Sequence, residues 1–549
     1  MKLLRILLLL LPVAAGAQAP DLAVPFQRRQ LPNGLTVVLA RRPGPGVSAR
    51  LAARVGGVDD PPGASGSARL AARALSAPAA EGPQEDLDQA WDAVLAQRKF
   101  QELEAARAAY ALARPSSDPA REAQLAKAFR EALLRHPAPA APPADGLLEC
   151  GPLTTLWGAD RPGDGWKAWC NALARGLRSL DLPGFYHHRE AMAAAPVPGD
   201  LARLEDVLRQ EAYPAAAAGR PAEGWPSERA RLRRAEVRAF AARAFAPANL
   251  VLVLVGDLGW EDVDPVLAAS FGVLAAGEPL EPVAHREPLG PADRRVFLDM
   301  DDHAAYMVAW RVPGAGHPDH AALEVAAGIL AGGRSARLAT RLLEGAGQGR
   351  LAGVALAGSG RPDGDLFLVW AEASGERSPS DLAQVIGGEV ERLRTQAPSP
   401  DQVARVVALA RAERARDLDH PGRLATALAR AWALTGDEAS YLLSLDRLAA
   451  VTPESVRHAV TLHLGERRGV QAIGLTPKKA ALGDDTLEGD IAELLTEFLR
   501  PKYPNDDLRL GDDVRSQLGQ ILALPVDQKR KVRDTLKQQL AARAQEKPK

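Results

Sequence analysis

The sequence predicts an α+β protein of two tandem homologous domains, each an antiparallel sheet packed with helices, followed by a helical C-terminal tail. Three observations predict it. A helix and then a strand-like run rich in β-branched residues, RRAEVRAFAARAFAPANLVLVLVG ending at Gly256, reappears about 220 residues later as TPESVRHAVTLHLGERRGVQAIG ending at Gly474. Upstream of each unit, two strand-like runs precede a helix: LTVVLA with VSARLAARVG in the first half, VFLDM with AAYMVAWRVPG in the second. Between the repeats, GEPLEPVAHREPLGP (Gly277 to Pro291) is punctuated by Pro and Gly and carries no apolar period, as an interdomain linker does. The expected boundaries are 20–272 for the first domain, 273–292 for the linker, 293–477 for the second domain and 478–549 for the tail.

Taken in order, the first 19 residues, MKLLRILLLLLPVAAGAQA, read as a signal peptide. Lys2 and Arg5 flank an apolar run too short for a membrane span of about 20 residues, and small residues close it. Export to the periplasm or the medium is expected, and there Cys150 and Cys170 could pair if they meet. The stretch at about 85–145 reads as a helical insertion in the first domain, a solvated hairpin rich in Ala, Glu, Arg and Lys. The tail holds eight of the twelve lysines and ends in a Lys/Gln/Arg-rich helix expected to be exposed.

Composition excludes more than it names. Of 549 residues, 68 are Lys or Arg and 69 Asp or Glu, a net charge of −1 that gives no electrostatic footprint for nucleic acid. Two cysteines exclude a disulfide scaffold or a Cys-rich metal framework, while ten histidines leave room for a His-based site. Neither G-x-S-x-G nor G-x-x-x-x-G-K-[ST] occurs.

Four segments in sequence order resemble the pitrilysin–insulinase family of zinc peptidases, relatives of mitochondrial processing peptidase. They are LPNGLTVVLARR (Leu31 to Arg42), RAFAARAFAPANLVLVLVGDL (Arg238 to Leu258), HPDHAALEVAAGILAGGRSARLATRLLE (His317 to Glu344) and VTPESVRHAV (Val451 to Val460). The resemblance runs from about Val24 to Pro477. It implies a first-domain helix carrying H-x-x-E-H, where two His one turn apart ligate zinc and the Glu polarises water. A more distant Glu completes the ligand set.

The matching helix here is GASGSARLAARALS (Gly63 to Ser76), with Arg69 and Arg73 at the two His positions and Ala72 at the Glu position. A guanidinium has no lone pair to offer a metal and stays cationic, and alanine cannot polarise water. In GFYHHREAMAAAPVPGDLARLEDVLRQEAYP (Gly184 to Pro214), the distant Glu falls on Ala194 or Ala195. No H-x-x-E-H or H-E-x-x-H occurs anywhere in the chain. The second-domain clamp on substrate is reduced to Arg341 and Arg350, with no tyrosine beside them.

Among the remaining histidines, His317 and His320 have an H-x-x-H spacing, but Asp319 between them reads as a helix cap. His187 and His188 are adjacent and point about 100° apart on a helix. His458 and His463 read as positions on an amphipathic helix and its end. Arg69 and Arg73 read as solvated or internally paired, with an anionic group at the vacated zinc position as the alternative.

The resemblance implies an exported, catalytically inactive subunit that binds or scaffolds with an active zinc peptidase, or a homodimer, in peptide or protein processing. No catalytic residue, metal or other cofactor is expected in this chain, zinc belonging to the active relatives. Two alternatives stay open: an active zinc endopeptidase with an atypical metal site, and a stand-alone periplasmic peptide-binding or envelope scaffold protein.

Overall fold

The computed structural model describes residues 25–76, 84–110, 119–136, 138, 146–195, 199–214, 217–221, 223–281, 294–345, 349–356, 365–374, 377–465, 469–476, 487–503, 507–522 and 524–545. The expected signal peptide and most of the expected linker lie outside the described residues.

Among the described residues the first half contains six strands: β1 (Phe26–Gln30), β2 (Thr36–Arg41), β3 (Gly46–Ala53), β4 (Gly146–Cys150), β5 (Thr155–Pro162) and β6 (Leu250–Gly256). They lie in the order β1-β2-β6-β3-β5-β4. The described residues of the second half contain five: β7 (Arg294–Asp299), β8 (Ala305–Val312), β9 (Gly349–Leu356), β10 (Asp365–Ala373) and β11 (Val470–Leu475), in the order β7-β11-β8-β10-β9. Dropping β1 makes the two orders identical. In each sheet the last strand inserts between the first two of the repeat, parallel to one (β6 with β2, β11 with β7) and antiparallel to the other (β6 with β3, β11 with β8). The repeat read from sequence is therefore a repeat of topology.

The helices of the first half are α1 (Ser67–Ser76), α2 (Glu85–Tyr110), α3 (Pro119–Arg135), α4 (Gly165–Ser179), α5 (Phe185–Ala193), α6 (Asp200–Ala212), α7 (Pro226–Arg229), α8 (Arg234–Ala244) and α9 (Trp260–Ala269). Those of the second are α10 (His320–Ala331), α11 (Pro379–Thr395), α12 (Pro400–Asp419), α13 (Pro421–Thr435), α14 (Ser440–Ala449) and α15 (Pro453–His463). Three of these begin with a hydroxyl cap followed by proline: Ser378, Ser399 and Thr452 each accept the backbone N–H three residues on.

The run LVLVLVG in β6 is apolar at every position because both of its faces are covered. Leu250, Leu252 and Leu254 join the helical core of the first domain, whereas Val251, Val253 and Val255 pack against Leu424, Leu428 and Trp432 of α13. Helix α13 belongs to the second half of the sequence. Reciprocally, α6 of the first half lays Leu204, Leu208 and Ala212 on Met307, Leu366 and Ala472 of the second sheet. The halves thus exchange one covering helix each. Arg50, buried on β3, ties the exchange down: its Nε donates to Thr426 Oγ1 at 2.9 Å and its Nη2 to the Gly422 carbonyl at 3.2 Å, while Nη1 meets Asp160 at 3.0 Å.

One expectation changes, and one question the sequence left open is answered. The insertion is not a solvated hairpin, since one face of α2 and α3 is docked. Leu87, Trp91, Val94 and Phe129 enter the first-domain core, and the Arg189 guanidinium of α5 stacks 3.5 Å above the Trp91 ring. Nor do the two cysteines pair: Cys150 and Cys170 are free and buried. Among the described residues the tail forms the helices Leu487–Leu499, Asp507–Leu522 and Val526–Gln545, around a small core of Ile491, Leu495, Leu510 and Leu536. Among the described residues, no helix is long and apolar enough to cross a membrane.

Candidate functional site

Helix α1 starts where it does because Asp60 caps it. The carboxylate of Asp60 accepts the backbone N–H groups of Gly66 at 2.6 Å and Ala68 at 2.7 Å. Burial pushes that carboxyl up to about 7, against the lowering effect of the two backbone hydrogen bonds. Two glycines let a second segment close over the helix start. Gly66 has φ +95°, and a Cβ there would come within 2.9 Å of the Arg229 side chain. Gly224 has φ +77°, and its Cβ would sit 2.6 Å from the Gly66 nitrogen. That close approach carries Glu223 to the face of α1.

On this face stand Arg69 and Arg73, one helical turn apart. Arg69 Nη1 forms an ion pair with Glu223 Oε1 at 2.8 Å, and Nη2 donates to the Cys150 carbonyl at 2.9 Å. Its side chain is only 16% exposed, so the pair is largely withdrawn from water. Arg73 is half-buried; desolvation first and the like charge of Arg69 second pull its guanidinium below the ordinary value, with Glu223 opposing them. Arg229, from α7, feels the same two neighbours and is also lowered, chiefly by burial. Three guanidiniums therefore gather around the carboxylate of Glu223. His188 faces this group, and burial, then Arg73 and His187, push its imidazole down to about 4. That shift favours the neutral ring at pH 7, and its Nε2 has no hydrogen-bond partner among the described residues.

Ala72 is fully buried in the first-domain core, and its carbonyl accepts the Trp157 Nε1–H at 3.1 Å. Helix α5 ends at Ala193, so Ala194 and Ala195 lie in the exposed turn beyond it. These donors do not fit zinc. Two fixed cations stand where the sequence resemblance would put ligands, the nearby carboxylate is committed to Arg69, and the imidazole of His188 sits beside Arg73.

The other sequence candidates scatter. Arg341 Nε is bonded to Glu389 Oε1 at 3.2 Å, in a group shared with Arg392, so it is not a free clamp. The side chain of Arg350 lies outside the described residues. His187 bonds the His136 carbonyl. His320 Nδ1 lies 3.2 Å from the Pro313 carbonyl. Instead His463 joins Asp319 and His317 in a cluster that the H-x-x-H spacing does not indicate. Sequence reasoning also missed Glu223, Arg229 and Asp60, because their roles arise from contacts more than a hundred residues apart or from a loop with no pattern.

Solved structures share this two-domain arrangement. A protease from Helicobacter pylori superposes with a TM-score of 0.65 at 13% identity, over 82% of this chain and 99% of that one. A chain of Complex III2 from Candida albicans gives 0.61 at 15% identity, over 82% of this chain and 95% of that one. The fold is thus that of the M16-like peptidases. Residues 231–409 match the family described as Peptidase M16 inactive domain, and an uncharacterized zinc protease of Streptomyces coelicolor is 26% identical over 291 residues, 52% of this chain. The chain spans 62% of the length of that relative. Over these segments the chain is similar to pitrilysin/insulinase-like, M16-type proteins. The matched M16 segment begins well after α1, so the chemistry of α1 rests on its own residues.

Proposed function

We propose that this chain is an exported, non-catalytic M16-like subunit that binds or scaffolds with an active zinc peptidase. The observation that carries the reading is the face of α1, where Arg69, at a position the sequence resemblance assigns to a zinc ligand, is ion-paired with Glu223, and Ala72, at the position it assigns to the water-polarising Glu, is buried in the core. A chain that has lost this chemistry while keeping both sheets and their exchanged helices retains a binding framework. Similarity to a chain of a multi-subunit complex supports the subunit role. Peptide or protein is the substrate class that such an assembly handles.

The test is co-expression with an H-x-x-E-H peptidase from the same genome. The reading expects a stable complex in which peptide cleavage depends on the partner's motif and rises when this chain is present. A chain that stays alone with every such peptidase of its genome, and leaves their activity unchanged, overturns the subunit role.

A further inference from the structure

We propose that His317, Asp319 and His463 form a binding site for one first-row divalent cation of the zinc class, on the second domain and separate from α1. His317 and Asp319 lie in the loop between β8 and α10, and His463 is the last residue of α15. Asp319 Oδ2 is 2.9 Å from His463 Nε2 and 3.8 Å from His317 Nδ1. One donor atom from each residue falls within 4.8 Å of the other two. Ligand atoms around tetrahedral zinc are about 3.3 Å apart, given metal–ligand distances of about 2.0–2.1 Å. Closing the cluster therefore takes a movement of about an ångström, and the residue that must move is the most exposed. His317 is 45% exposed, against 23% for Asp319 and 16% for His463.

The donor set selects the ion. Two imidazoles and one carboxylate suit zinc, cobalt(II) or nickel(II) better than calcium or magnesium, which take oxygen cages. The rings of His317 and His463 stand at 89° with centroids 5.9 Å apart, so they are not stacked and both nitrogen edges are near the carboxylate. Backbone contacts hold the loop in place. Arg447 Nη1 donates to the Ala315 carbonyl at 3.1 Å, and His320 Nδ1 lies against that of Pro313.

In the metal-free cluster the proton on His463 Nε2 bridges to Asp319, and His317 Nδ1 accepts the Asp319 backbone N–H at 3.1 Å. Metal entry displaces the Nε2 proton, which leaves for solvent or moves to Nδ1, and the ion takes its place between imidazole and carboxylate. His317 binds through Nε2, or through Nδ1 with loss of the amide contact. Three protein ligands leave water at the remaining position. The bound ion would clip the loop before α10 to the end of α15.

The experiment uses the full untagged chain, stripped with chelator and titrated separately with cobalt(II) and with zinc. One equivalent of cobalt with a visible d–d band, displaced by zinc, is the expected result. His463→Gln keeps an N–H donor for Asp319 but has no imidazole lone pair; it and His317→Gln are each expected to weaken cobalt binding at least tenfold. Arg69→Met with Arg73→Met is expected to change nothing. His317→Gln alters an exposed loop residue, so misfolding does not confound it. Failure to take up either ion overturns the proposal, and so does uptake that both glutamine variants leave intact.

Discussion

Replacing Glu223 by glutamine probes whether the α1 face is held by charge. The change keeps the side-chain shape and one acceptor for Arg69 but removes the negative charge from among Arg69, Arg73 and Arg229. At 2.8 Å and an effective dielectric of about 20, the Arg69–Glu223 attraction is about 6 kcal/mol before desolvation is subtracted. Exposed pairs net about 0–1 kcal/mol, and removing one partner of a buried pair costs about 3–5 kcal/mol. With side chains 16% and 30% exposed, the pair lies between these limits, and the two neighbouring guanidiniums lose a counter-charge as well. Glu223→Gln is therefore expected to lower the unfolding free energy by roughly 2–4 kcal/mol in urea titrations. Arg73→Met in the same background is expected to restore part of the loss, because it removes a half-buried cation with no described partner. A double-mutant cycle with Arg69→Met isolates the pair. A cost below about 0.5 kcal/mol, or no coupling to Arg69, would refute the claim that the α1 face is held by charge.

Other outcomes follow from the same contacts. Asp60, raised to about 7, binds its proton more tightly folded than unfolded, so its contribution is present below its unfolded value and is lost as pH rises from about 4 to 7. His188, lowered to about 4, works in the opposite sense, losing stability as pH falls from about 6.5 to 4. Stability–pH curves of Asp60→Asn and His188→Gln should therefore diverge from the parent in opposite directions across that window, and parallel curves would contradict both environments. Burial raises the thiols of Cys150 and Cys170 to about 11 and about 12, so neither should react with a thiol reagent at pH 8 until urea unfolds the chain. Trp432→Ala should cost about 3–5 kcal/mol and loosen amide protection in β6 rather than in the second sheet; protection lost only around β8 would refute the helix exchange.

Much of the fold was legible because its strands carry their environment in their pattern. The unbroken run at Leu250–Gly256 had to be buried on both faces, and the Pro-led helix starts at Ser378, Ser399 and Thr452 follow from local chemistry. What covers the second face of β6 was not legible. The apolar stripe of α13 fixes that it must be buried, but not that it crosses to the other sheet. The hairpin of α2 and α3 was misjudged because its burial rests on a few large residues, Trp91 and Phe129 among them, within a polar sequence. At the site, the arginines of α1 were visible as wrong donors for a metal. Their counter-ion was not, since Glu223 arrives on a loop whose only signal is Gly224. His463 likewise meets Asp319 across 144 residues, beyond the reach of any spacing rule.

With Arg69, Ala72 and Arg73 offering neither a zinc ligand nor a group to polarise water, the expectation for α1 is a loss of peptidase chemistry. Its most direct test is cleavage of unfolded peptides by the purified chain alone, with zinc supplied, in the parent and in the His463→Gln variant so that metal held on the second domain is not mistaken for activity. No turnover above buffer in either protein is the predicted result. Chelator-sensitive cleavage that persists in His463→Gln and is abolished by changing Arg69, Arg73 or His188 would contradict it.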